Sequence, residues 1–290
     1  MPELPEVEIV LRGLNQFTLG KEIMGGDVLL ARTIAYPFSV AEFLEGIEGN
    51  AIAKWHRRGK YLLAELVGAK PAGWLGIHLR MTGQLLWLSQ EPLQKHTRVR
   101  LFLAEKSELR FVDQRTFGKM WWVPPDVSVE SVITGLGRLG LEPFAPDFSV
   151  EYLAKKLQHR RRPIKNALLD QTVVAGIGNI YADEALFLSR VRPETLCTDL
   201  QLEQIESLQA AIIQVLETSI AAGGTTFSNF LNVQGTNGNY GGVAWVYNRT
   251  GLPCRVCGTP IQRLRLAGRS AHFCPQCQCL VEKKIHIKGK

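Results

Sequence analysis

The chain has 290 residues, 46% of them hydrophobic and 21% charged, which is enough apolar material for two domains and excludes a disordered polypeptide. No run of about 18 apolar residues occurs, and the first residues are acidic where a secretory leader is basic, so a cytoplasmic protein with no membrane contact is expected. A net charge of +7 points to an acidic partner, nucleic acid before a membrane surface.

The opening "MPELPEVE" reads as the start of a helix. Pro5 suits the first helical position, where no N–H is needed. Val7, Val10, Leu11 and Leu14 recur at helical spacing, and Gly20 ends the run. Glu6 and Glu8 fall in the first turn, where the helix dipole favours acids. Pro2 and Glu3 therefore stand just ahead of a packed helix. From about 23 to 123 the period becomes two: "AIAKWHRRGKYLLAEL", "GWLGIHLRMTGQLLWL" and "ELRFVDQRTFGKMWWV" alternate apolar and polar residues between Gly and Pro, predicting an antiparallel β-sandwich or barrel. After Pro124-Pro125 the texture turns helical in "SVEYLAKKLQ", "PIKNALLDQ", "NIYADEALFLSR" and a long amphipathic stretch ended by Gly223-Gly224. Residues 225–243, rich in Gly, Asn and Thr, read as a mobile loop. The fold class is α+β, with boundaries at 1–125, 126–243 and 244–290.

Four of the six cysteines form a C-x2-C-x16-C-x2-C pattern, Cys254 and Cys257 with Cys274 and Cys277. That spacing is a zinc ribbon's, and four thiolates leave no open position, so one structural Zn2+ is expected. Redox pairs or disulfides are the competing reading, disfavoured in a reducing compartment. Cys197 and Cys279 are left over as packing or surface thiols. Acid-free stretches follow Glu151 and Glu217, and they carry Arg161 and Lys165 in the first and Arg263, Arg265 and Arg269 in the second; they are either solvated faces or phosphate-binding surfaces. Gly176 and Gly178 precede a helix starting near Asn179, whose free N–H groups either attract an anion or merely connect two elements. Met81, Arg115 and Phe117 stand at strand ends; apolar wedges enter base stacks and an Arg reads an exposed base edge, though each also suits an ordinary surface.

Taken in order, "MPELPEVE", "IHLRMTGQL", "DQRTFGKM", "LLDQTVVAGIGNIYADEAL", "GGTTFSNF" and the cysteine pattern resemble the bacterial formamidopyrimidine-DNA glycosylases over nearly the whole chain. The resemblance implies an N-terminal helix with a β-sandwich, then a helix–two-turn–helix domain with a C-terminal zinc ribbon. Damaged double-stranded DNA would lie in the cleft between them. The implied activity is excision of oxidised purines followed by strand cleavage, by a monomer associated with the bacterial nucleoid. Pro2, freed of Met1, would attack the sugar and form an iminium intermediate. Its terminal amine suits this, since an α-amino group is about a tenth neutral at pH 7 where a lysine is about one part in two thousand. Glu3 would be the adjacent acid/base. Lys60 and Arg269 match residues assigned to β- and δ-elimination, and a guanidinium, a poor acid, is better suited to holding phosphate. His96, Arg115 and Arg161 align with DNA contacts, with Lys165 and Asn179 as further phosphate candidates. Met81 and Phe117 would fill the vacated stack, Arg115 would face the orphaned cytosine, and residues 225–243 would cap the extruded base. Asn248 stands where that family usually has Gly, and Asn tolerates positive φ. Two other readings stay open: a zinc-ribbon protein that only recognises damage, and an enzyme for oxidised pyrimidines.

Overall fold

The computed structural model describes residues 1–69, 72–89, 91–225 and 230–279. It opens with helix α1 (Leu4–Phe17), capped by an acidic capping box: the Glu3 carboxylate takes the Glu6 N–H while the Glu6 carboxylate takes the Glu3 N–H at 2.8 Å. The strands that follow are β1 (Ile23–Val28), β2 (Ile34–Tyr36), β3 (Ala51–Arg58), β4 (Tyr61–Val67), β5 (Trp74–His78), β6 (Gly83–Leu88), β7 (Thr97–Leu103), β8 (Ser107–Asp113) and β9 (Lys119–Val123). They form two sheets, β1-β7-β8-β6 and β2-β9-β5-β4-β3. All named pairs are antiparallel except β2 with β9. A second helix, α2 (Val40–Ile47), interrupts the stretch whose spacing reads as strand; Ser39 caps it through the Glu42 N–H, and Phe43 and Ile47, four apart, are buried.

The remaining helices are α3 (Val129–Val132), α4 (Val150–Leu157), α5 (Ile164–Leu168), α6 (Asn179–Leu188) and α7 (Leu202–Ala221), followed by the hairpin β10 (Gln262–Leu266) and β11 (Arg269–Phe273). Among the described residues no helix is long and apolar enough to cross a membrane.

Helix α1 serves two cores at once. Val7, Val10 and Leu14 pack with the sandwich interior, whereas Leu4, one turn earlier, packs with Ile177, Tyr181 and α7 in the helical core. The first residues of the chain are thus held where the two cores meet. Phe230 and Val233, in the stretch expected to be a mobile loop, are buried against the sandwich, and the Trp87 N–H donates to the Val233 carbonyl at 2.7 Å. Glu142 ties the halves from another side: it accepts from Arg57 (2.5 Å), Arg58 (3.0 Å) and the Gly59 N–H (2.5 Å), the last at the turn presenting Lys60.

Candidate active site

The glycine turn before α6 is an anion seat, as its N–H geometry predicts, but the anion is the protein's own. Glu3 is buried, and its carboxylate accepts the N–H groups of Gly178 (2.9 Å), Ile180 (3.0 Å) and Tyr181 (3.3 Å). These donors are therefore taken, and none of the three is available to a phosphate. Gly178 must lack a side chain, because a Cβ there would lie 2.4 Å from the Glu3 carboxyl carbon. Gly176, at φ +86°, accepts the Leu4 N–H at 3.0 Å, and a Cβ on it would meet the Leu4 side chain at 2.6 Å. The turn is fixed further by Gln171, which takes the Gly176 N–H and donates to the Ile177 carbonyl, both within 2.9 Å.

Glu6 lies fully buried behind Glu3. It accepts the Tyr181 hydroxyl at 2.5 Å and the Thr225 N–H at 3.0 Å as well as the Glu3 N–H. Burial, and then the Glu3 charge, raise its pKa to about 7 against the pull of these donors. The sequence reading placed Glu6 as a helix-dipole acid only; its spacing of three from Glu3 was the signal for the capping box.

In front of Glu3 a cavity of about 220 Å³ gathers Met1, Lys60 and Met81 from the sandwich side with Asn179, Tyr247 and Arg269 from the other. Burial lowers the pKa of the terminal amine, opposed by Glu3 and Glu6. Lys60 is buried too and is shifted down by desolvation; its Nζ donates to the Ile177 carbonyl at 3.0 Å. Arg269, at the start of β11, is exposed. The Asn179 Oδ1 is buried with no hydrogen-bond partner among the described residues. Tyr247, absent from the sequence reading, is carried by a segment whose Trp245, Val246 and Tyr247 N–H groups all bind the buried Glu184 carboxylate at 2.7–2.9 Å. Asn248 next to it has φ +58°, the left-handed value that Asn tolerates. A larger cavity of about 590 Å³ lies behind the ribbon at Phe187, Trp245 and Cys277 and holds none of the expected catalytic groups.

Met81 lies on the loop β5–β6 and lines the cavity, Arg115 and Phe117 lie on the loop β8–β9, and the Arg115 N–H joins the two loops by donating to the Thr82 hydroxyl at 3.0 Å. Phe117 is half exposed, with the Arg115 guanidinium 5.1 Å over its ring. His96 precedes β7, and its ring accompanies Arg98 at 3.3 Å. Arg161 is exposed between α4 and α5, outside the cavity. Lys165 corrects the sequence reading. Rather than reaching for a phosphate it is completely buried, its Nζ 2.6 Å from Asp183 and donating to the Ser270 carbonyl. Asp183 also accepts the His272 N–H at 2.9 Å. Lys165 and Asp183 thus pin the hairpin bearing Arg269 onto α6.

Cys254, Cys257, Cys274 and Cys277 bring their sulfurs within 4.8 Å of one another. Tetrahedral zinc with bonds of about 2.3 Å needs sulfurs about 3.8 Å apart, and the pairs Cys254–Cys277 and Cys257–Cys274 stand at 3.9 and 3.4 Å. The set fits one structural zinc ion.

A model of the formamidopyrimidine-DNA glycosylase N-terminal domain matches residues 1–120, the H2TH domain of the same enzymes matches 139–230, and a zinc finger found in FPG and IleRS matches 251–278. The formamidopyrimidine-DNA glycosylase of Nostoc punctiforme is 76% identical over 281 residues, 97% of each chain. The chain belongs to the formamidopyrimidine-DNA glycosylase family. Solved structures in the family share the whole fold. The Lactococcus lactis Fpg in complex with DNA containing an abasic site has a TM-score of 0.86 at 34% identity, over 95% of this chain and 99% of that one. MutM in complex with DNA containing carbocyclic 8-oxo-G has a TM-score of 0.86 at 33% identity, over 96% and 99%.

Proposed function

We propose that this member of the family is a bifunctional DNA glycosylase and abasic-site lyase, which excises oxidised purines from duplex DNA as a monomer and then cleaves the strand. The coarse class, a DNA glycosylase of oxidised-base repair, comes with the family. The observation that carries the finer reading is the position of the chain start: Met1, Glu3, Lys60, Asn179 and Arg269 surround one small cavity.

Removal of Met1 converts the Pro2 nitrogen from an amide into a secondary amine at the cavity wall. Pro2 is buried, and burial disfavours the ammonium form, which raises the fraction able to attack C1′ of the damaged nucleotide. The base departs with the electrons of the glycosidic bond, and the iminium forms as the sugar ring opens. Glu3, oriented by three backbone donors, takes and returns the proton at the sugar oxygen. Lys60, Asn179, Tyr247 and Arg269 hold the flanking phosphates, and the lowered pKa of Lys60 suits it to proton transfer during elimination. Met81 and Phe117 enter the stack, Arg115 faces the orphaned base, and His96 and Arg161 contact the backbone. The base-capping assignment of 225–243 falls partly on 226–229, outside the described residues.

Zinc is structural: it holds the ribbon that carries Arg269. Borohydride trapping on abasic-site DNA tests the reading. The mature protein, its N-terminus checked by mass spectrometry, is expected to give a covalent adduct, and Pro2→Gly to lose most base excision. An untrapped, unreactive protein that still bound lesions would favour the damage-recognition alternative. Faster release from thymine-glycol than from 8-oxoguanine:C duplexes would move the substrate to oxidised pyrimidines.

A further inference from the structure

Asp113, the last residue of β8, is almost fully buried, yet no step of the reaction uses it. Its Oδ1 accepts the Thr82 hydroxyl at 2.5 Å and the Arg115 N–H at 3.2 Å, and its Oδ2 accepts the Gly118 N–H at 2.7 Å. Its own N–H binds the His96 carbonyl at 2.9 Å, and its carbonyl accepts Arg98 Nε at 2.8 Å. Thr82 follows Met81. Arg115 and Gly118 bracket Phe117. One carboxylate therefore joins the two loops bearing Met81, Arg115 and Phe117, reinforced by the Arg115 N–H on the Thr82 hydroxyl at 3.0 Å, and its main chain fixes His96.

These loops need such a tie. Phe117 is half exposed, so no core holds its ring. Arg80 and Thr116, one on each loop, have φ of +55° and +58°, a region costly for residues with a side chain. Gly118 leaves no space for a side chain, since a Cβ would fall 2.3 Å from the Phe111 ring. Strained backbone with exposed apolar tips persists only where neighbouring bonds over-determine it; the Arg80 N–H is held by His78 Nδ1 at 3.0 Å and the Thr116 hydroxyl by Arg32, and Asp113 is the group whose side chain bonds to both loops.

We propose that Asp113 is a positioning residue that sets Met81, Arg115 and Phe117 as one preformed wedge before DNA arrives, so that it governs base extrusion and reading of the opposite base rather than bond cleavage. Preformed contacts avoid the ordering cost at the moment of binding. The inference rests on the proposed wedge role of these three residues.

The test is stopped-flow fluorescence of 2-aminopurine placed beside 8-oxoguanine in a duplex. Borohydride trapping on a single-stranded abasic oligonucleotide, which needs no extrusion, runs in parallel. Asp113→Asn is expected to slow extrusion about tenfold or more, the worth of a charge-assisted hydrogen bond, and to slow duplex turnover far more than single-strand trapping. Thr82→Val removes the Asp113–Thr82 arm of the tie, together with the Arg115 N–H bond to the same hydroxyl at 3.0 Å, with little change of shape, and should slow extrusion in part, while Thr82→Ser restores it; this pair tests the tie if Asp113→Asn folds poorly. Equal losses on duplex and single strand, or a Thr82→Val variant that extrudes at the parent rate, would overturn the proposal. Met81→Ala and Phe117→Ala separate the two levels: if both extrude at the parent rate the wedge reading itself fails, and if both are slow while Asp113→Asn is not, only the positioning role fails.

Discussion

At the scale of single residues the cavity is built on carboxylates that sit on backbone N–H groups, and Glu6 shows what that costs. Its pKa of about 7 stands well above the ordinary value of 4.5. Between those two pH values the native state keeps a proton that the unfolded chain has released, so stability falls as pH rises through the window. The loss is complete above pH 7 and amounts to about 3 kcal/mol, at 1.36 kcal/mol per unit. Glu6→Gln has no such slope. It should be less stable than the parent at pH 5, because its amide N–H₂ meets the Glu3 N–H, which a carboxyl oxygen can accept even when protonated, a clash worth about 1–3 kcal/mol. By pH 8 the gap should have closed by about 3 kcal/mol. Denaturant titrations of both proteins at the two pH values measure this, and curves that stay parallel would contradict a buried Glu6 titrating near neutrality. Nothing in "ELPEVE" announces the shift, because the burial comes from Tyr181 and Thr225, 175 and 219 positions away.

At the scale of elements, the local patterns were legible and their partners were not. Helix α1, the ribbon cysteines and the strand-end loops follow from spacing, since period and turn chemistry act over a few residues. Glycine followed by a helix start left two readings open at α6, an anion seat or a plain connection, and the N–H groups there hold Glu3. Which anion fills it depends on folding α1 onto α6, and sequence distance carries no trace of that. Lys165 is the same case: a lysine in an acid-free stretch reads as a surface charge, whereas Asp183 and Ser270, 18 and 105 residues on, take it inside. Helix α2 was hidden because eight residues amid strands give a weak period. The contact of α1 with α6 makes Gly178→Ala a sharp probe. The added methyl would lie 2.4 Å from the Glu3 carboxyl carbon, so either Glu3 leaves its three donors or the turn moves. Since a displacement of about 1 Å costs on the order of a hundredfold, base excision should fall by at least that factor. Phosphate contacts do not pass through Glu3, so affinity for a tetrahydrofuran-site duplex should fall less than tenfold. Parallel losses of binding and turnover would mean that the substitution had disturbed the fold rather than Glu3.

At the scale of the molecule, the cavity exists only while three units stay docked: the sandwich supplies Lys60 and Met81, the helical core Asn179, and the ribbon Arg269. The first two each have a large core of their own and are joined by α1, which puts Leu4 into the helical core and Val7 into that of the sandwich. The ribbon is different. Its core is small, Phe187, Val246 and Ile261 with Cys254 and Cys274, and a module of this size is not stable without metal or cross-links. Zinc in the four-cysteine site closes the ribbon, while Lys165 and Asp183 bind its hairpin to α6. Chelation should therefore act in two separable ways. Binding of damaged duplex should drop by at least tenfold as Arg269 loses its place, because the charge-assisted phosphate contact proposed for it is worth about 1.5–3 kcal/mol. The main thermal transition, carried by the sandwich and the helical core, should move little, since neither core contains any of the four ribbon cysteines. Calorimetry and duplex titration on the same chelated sample measure both. A protein that lost its main transition with the metal would show the ribbon to be integral to the fold, and one that kept full affinity would show that Arg269 holds its position without it.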